Sequence, residues 1–259
     1  MRALIHVVLA WLACATLAHA AEKVVDIPTR PGVTQRFLLV EPPEAKAAVV
    51  LFAGGHGGLQ MDKSGALRWG KGNFLVRSAP LFVANGLTVA IIDAPSDRQS
   101  TPYLSGYREG AEHAADVKAV IAWMKENTKL PVWLIGTSRG TQSAASVATR
   151  LPPGEGPNGI VLTASILSDR RSRAVPEMAV DKLTIPVLVV HHQEDACRAT
   201  LFRDVPRLMD KLTSASRKEL MTFRGGESHG DPCEAMAYHG FNGLEKDVVA
   251  RIAAWVTAR

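Results

Sequence analysis

Aromatic residues are scarce in this chain: Phe, Trp and Tyr together make up 6% of it. A surface that holds single-stranded nucleic acid needs rings for stacking, so that role is disfavoured. A dense run of Lys or Arg is also missing. The formal charge of +5 is scattered over 259 residues, which argues against a nucleic-acid partner. The chain has no Pro/Gly/Ser-rich linker, no internal repeat and no low-complexity tract, so a single domain is expected. No Gly-Lys-Ser/Thr follows its glycine-rich loop, which disfavours a nucleotide site. Neither His-x-x-x-His nor Cys/His zinc spacing is present, so no metal or other cofactor is expected.

Cysteine is limited to Cys14, Cys197 and Cys233. The first of these lies in a stretch with the features of a secretory leader. Met1-Arg2 is a positive start, residues 3–17 are apolar, and Ala18-His19-Ala20 is a small-x-small cleavage site. A signal peptide is therefore expected over residues 1–20 and a mature domain over 21–259. The apolar run is short for a membrane span and is followed by Glu22-Lys23; a retained signal anchor is the alternative. Trp11 and Leu12 before Ala13 do not make a lipobox around Cys14. Periplasmic or secreted protein is expected, with no stable membrane insertion once the leader is removed. Two cysteines then remain in an oxidising compartment, and Cys197 is expected to pair with Cys233.

What the chain does have is a strand-turn-helix pattern at residues 131–148. Val132-Trp133-Leu134-Ile135 reads as a buried strand, and the small residues of 141–148 suit a helix packed close on a sheet. Between them Gly136-Thr137-Ser138-Arg139-Gly140 matches G-x-S-x-G. A serine on so tight a turn needs neighbours without Cβ atoms two residues away on each side. The turn lifts its hydroxyl above the sheet edge at a helix N-terminus, where N–H groups and the dipole stabilise an oxyanion. Ser138 is thus the candidate nucleophile.

Taken in order, residues 21–39 predict one or two edge strands, closed by Pro42-Pro43. The apolar run 47–52 predicts a central strand ending in Gly54-Gly55-His56-Gly57-Gly58. A backbone that open lets N–H groups approach a ligand, and Gly55 or His56 is the candidate partner to the Arg139 N–H in an oxyanion hole. A helix over 73–85, kinked or broken at Pro80, precedes a strand over 87–92. Residues 105–126 give the clearest helix, with Val117, Val120, Ile121 and Met124 inward and Asp116, Lys118 and Lys125 toward solvent. His113 on it reads as a surface or packing residue. Further strands are expected over 159–167, 185–191 and 218–223, and helices over 201–212 and 245–256. Residues 168–173 read as a solvated loop. Alternating strands and helices imply a mostly parallel sheet with right-handed crossovers.

In such sheets reacting groups gather at the carboxyl ends of strands. Asp195 follows one strand, and the loop after the last holds His229 and His239. Glu194 is the alternative acid. His191 and His192 are adjacent on a strand and point to opposite faces, so they do not easily share an ion. Serine, acid, histidine is the chain order of the α/β-hydrolases, and essentially all of residues 21–259 resembles that superfamily. His191-His192-Gln193-Glu194-Asp195 is similar to the acid turn of dienelactone-hydrolase-like members, and His239-Gly240-Phe241 to their base segment. A second histidine in the base loop and the lack of an evident lid insertion depart from the pattern. The resemblance implies an α/β-hydrolase fold without a large cap. It also implies a serine esterase with Ser138 as nucleophile, Asp195 as acid and His239, ahead of His229, as base, acting on a small-molecule acyl substrate. A peptidase, thioesterase or amidase on the same residues, or a hydrolase fold used only for binding, are the rivals.

Overall fold

Five apolar segments, each a run rather than an alternation, form the middle of the molecule because both of their faces are covered. In the computed structural model, which describes residues 20–258, they belong to an eight-stranded sheet. The leader expected over residues 1–20 lies, all but its last residue, outside the described residues.

The strands are β1 (Ala21–Arg30), β2 (Val33–Glu41), β3 (Ala47–Phe52), β4 (Leu87–Ile92), β5 (Val132–Thr137), β6 (Gly159–Thr163), β7 (Val187–His192) and β8 (Lys218–Phe223). Their spatial order is β1-β2-β4-β3-β5-β6-β7-β8. β1 and β2 form an antiparallel hairpin, β2 runs antiparallel to β4, and β4 through β8 are parallel. The helices are α1 (Phe74–Arg77), α2 (Ala79–Ala84), α3 (Ala111–Thr128), α4 (Gly140–Arg150), α5 (Val205–Lys211) and α6 (Glu245–Thr257).

Strand alternation sorts the core into two layers. Ala48, Val50 and Phe52 of β3 pack with α3, α4 and α5 on one face. Ala47, Val49 and Leu51 pack with α1, α2 and α6 on the other. The parallel strands all point their carboxyl ends at one edge, and the loops of interest leave from it. Among the described residues no helix is long and apolar enough to cross a membrane.

Four expectations are corrected. The helix expected from residue 105 starts at Ala111, because residues 101–109 form turns that carry Arg108 inward. Asp116 does not face solvent: it is fully buried and accepts hydrogen bonds from Thr29 Oγ1 (2.5 Å), Arg30 Nε (2.9 Å) and Tyr107 Oη (2.8 Å). That cluster pins the β1–β2 hairpin to α3. The strand expected to reach Leu167 stops at Thr163, where Ala164 turns into the left-handed region at φ 44°. Residues 168–173 are not simply solvated, since the Asp169 side chain is 4% exposed and bonded to Arg139. Pro80, by contrast, breaks its helix as expected: it sits in the first turn of α2, where its missing N–H costs nothing. His113 is a packing residue, buried edge-on against Phe52 and Tyr107.

Candidate active site

The tight turn at Ser138 follows from two glycines. A Cβ on Gly136 would meet the Gly140 carbonyl, and one on Gly140 would meet the carbonyl of Phe52 in β3. With both absent, β5 passes into α4 without a spacer. Ser138 takes φ 51°, a left-handed conformation that a non-glycine residue adopts at a cost. The surroundings hold it there. Its N–H donates to Thr163 O (3.0 Å) at the end of β6. Thr141 Oγ1 donates to Ser138 O (2.6 Å) and accepts from the Ile166 N–H (3.2 Å). The elbow is thereby tied to the neighbouring strand, and the Ser138 side chain is left half-buried at the floor of a cavity of about 270 Å³.

The loop after β7 places Asp195 with its carboxylate fully buried. Asp195 Oδ1 accepts from the Cys197 N–H (2.9 Å). Its Oδ2 accepts from Thr200 Oγ1 (2.8 Å) and lies 3.0 Å from Nδ1 of His239. Thr200 Oγ1 is also 3.1 Å from that Nδ1, so the imidazole edge is fixed by two oxygens from one loop. His239 lies in a short 3-10 turn, is 5% exposed, and lines the Ser138 cavity. His229 is elsewhere. Its ring is 67% exposed and lies 3.1 Å from Glu227. Nothing in the sequence singles out Thr200.

Cys197 and Cys233 form a disulfide, with Cα atoms 4.6 Å apart. It joins the loop of Asp195 to the loop that ends in His239, and Cys233 itself lines the cavity.

On the other side stands the glycine-rich loop after β3. Gly55 lines the cavity. The His56 ring is turned away, stacked between Trp69 (3.8 Å) and Tyr103 (4.3 Å), with Nδ1 accepting from the Gly58 N–H (3.1 Å). Burial, then the nearby Arg108 cation, lowers its pKa. Arg108 lies beneath this loop and is 4% exposed. It donates to Ala53 O (3.0 Å), Gly55 O (3.2 Å) and Ser143 Oγ (2.8 Å). A trans peptide points N–H opposite to C=O, so the N–H groups of Gly54 and His56 face away from the guanidinium. Burial, and secondarily Arg139, brings the Arg108 pKa down to about 9. Arg139, the residue after the serine, donates from Nη1 to Asp169 Oδ2 (2.7 Å). Burial opposes ionisation of Asp169, yet hydrogen bonds from Ser172, the Arg171 N–H and Arg139 hold its carboxyl well below the usual range. Asp169 falls in a segment that reads as solvated in the sequence, because its partner Arg139 comes from a distant segment.

His191 and His192 diverge as the strand geometry requires. His191 Nε2 accepts from the Ser165 N–H (2.8 Å), and His192 Nε2 donates to Gly225 O (2.9 Å). Among the described residues no group of His, Cys, Asp and Glu is arranged to hold a metal ion.

No protein-family model matches the chain, and no curated protein does. Solved structures do. An esterase from Pyrococcus furiosus is 14% identical with a TM-score of 0.65, over 92% of this chain and 91% of that one. A dienelactone hydrolase from Anabaena variabilis is 16% identical with a TM-score of 0.63, over 92% and 97%. An α/β serine hydrolase homologue from Coxiella burnetii is 17% identical with a TM-score of 0.61, over 89% and 96%. Identities this low carry the architecture and not the activity. With its strand order, its elbow and these neighbours, the chain has the fold of the α/β-hydrolase superfamily.

Proposed function

We propose that the protein is an exported serine hydrolase that cleaves small carboxylic esters through an acyl-enzyme. The observation that carries this reading is the 3.0 Å contact between Asp195 Oδ2 and His239 Nδ1, with His239 and Ser138 lining one cavity. In the reaction, His239 Nε2 takes the Ser138 proton as Oγ attacks the acyl carbon. Asp195 keeps the imidazole in the tautomer with Nδ1 protonated and stabilises the imidazolium. The N–H of Arg139 and that of Gly55 or His56 hold the tetrahedral oxyanion, each contributing about 3–4 kcal/mol by analogy with oxyanion-donor deletions. The proton then passes from His239 to the leaving alkoxide. Water, activated by the same imidazole, attacks the acyl-enzyme and releases the acid.

An ester is favoured over an amide by the similarity to esterases and a dienelactone hydrolase. Export is supported by the leader-like residues 1–20 and by the disulfide. A cavity of about 270 Å³ suits a short acyl group. The test is a series of p-nitrophenyl esters of graded chain length. Turnover that is highest for the short chains and absent in Ser138→Ala is expected. Wild-type-like turnover in Ser138→Ala would refute the proposal.

A further inference from the structure

A gap is kept open beside the nucleophile, and an amide side chain faces it. Asn73 lies immediately before α1 and lines the cavity with Ser138. A Cβ on Gly54 would lie 3.0 Å from Ser138 Cβ and 3.4 Å from Asn73 Nδ2. Glycine at position 54 therefore leaves free the space that Ser138 and Asn73 share.

Two ordinary reasons for an asparagine at this position do not apply. Asparagine is a preferred helix N-cap, yet the Asn73 side chain makes no capping hydrogen bond. Nor is it tied down by another protein group through its acceptor: Oδ1 is buried with no hydrogen-bond partner. An acyl oxygen cannot pair with the acceptor Oδ1; what can meet it is the donor Nδ2, which borders the space shared with Ser138.

Resting on the serine-hydrolase reading, we infer that Asn73 is a substrate-contacting catalytic residue: its Nδ2–H donates to the acyl oxygen as negative charge develops there. It would act beside the backbone donors of the glycine-rich loop and Arg139. A side-chain donor differs from these in one useful respect, since it can be deleted without altering the backbone.

The test uses Asn73→Leu and Asn73→Ala. Neither carries a side-chain hydrogen-bond donor, and because the Asn73 side chain makes no capping hydrogen bond neither removes a cap, so either serves if the other folds poorly. With p-nitrophenyl acetate, kcat is expected to fall on the order of 10²-fold, with KM little changed, as for removal of one oxyanion donor. Tm should stay at the wild-type value. Wild-type kcat in a folded variant would overturn the assignment and leave the serine mechanism standing. A lowered Tm with unchanged kcat would assign Asn73 a structural role and overturn it equally. Turnover by the parent protein that survives Ser138→Ala would instead overturn the serine reading, and this inference with it.

Discussion

At the scale of single residues, the decisive contrast is between two histidines on one loop. His239 is buried against Asp195, whereas His229 is exposed beside Glu227. His239→Ala is expected to lower kcat by about 10⁴-fold or more, and His229→Ala to change it little, both read from steady-state kinetics. Equal small effects would place the base elsewhere. Thr200 is the residue on which the geometry adds most to the sequence. Its hydroxyl donates to the oxygen of Asp195 that faces the imidazole. Thr200→Val keeps the shape and removes a hydrogen bond to a charged group, costing about 1.5–3 kcal/mol in chemical denaturation. Its importance is not legible in the sequence, because a threonine five residues from an acid has no signature of its own. Ser138 is legible, since the glycines that permit the turn occupy fixed positions beside it.

At the scale of elements, two ties shape the site. The disulfide holds the loop after β8, where residues 227–236 are almost all exposed, to the loop after β7. Closing a loop of this length is worth about 3–4 kcal/mol in the chain-entropy model. Cys233→Ser is therefore expected to lower Tm by on the order of 10 °C and to reduce turnover. Unchanged Tm and turnover would show that the loop is held by other contacts. The second tie is Asp116, which gathers Arg30, Thr29 and Tyr107 between the hairpin and α3. Strands β3 to β7 are legible as apolar runs because both faces are covered, and α6 because its pattern is amphipathic. Asp116 is misread for a physical reason. Helical periodicity counts apolar residues, and a buried carboxylate paired with a distant arginine is indistinguishable from a solvated one. The start of α3 is hidden likewise, since Arg108 is drawn inward by carbonyls of the loop after β3.

At the scale of the whole molecule, burial of two imidazoles sets a response to acid. His113, unpartnered at both ring nitrogens, is pushed down to about 3 by burial, with smaller effects from Arg108 and Arg30. His191 is pushed down to about 4, by burial first; Asp195 opposes this and His239 adds to it. Both bind protons more readily unfolded than folded, so their contribution to stability is present above about pH 6.5 and falls as the pH drops toward 4. Each such group gives a slope of about 1.4 kcal/mol per pH unit in that window. Thermal unfolding at pH 7 and pH 4.5 should show a smaller acid loss in His113→Phe than in the parent chain; an identical loss would mean that His113 is not buried as described. The central claim is that this fold presents Ser138 as an activated nucleophile. The most direct measurement is intact and peptide mass spectrometry after exposure to a small fluorophosphonate. One adduct per chain, located on Ser138 and absent from His239→Ala on the same timescale, is the expected result. A folded chain with no adduct, or with its adduct on another residue, would contradict the account.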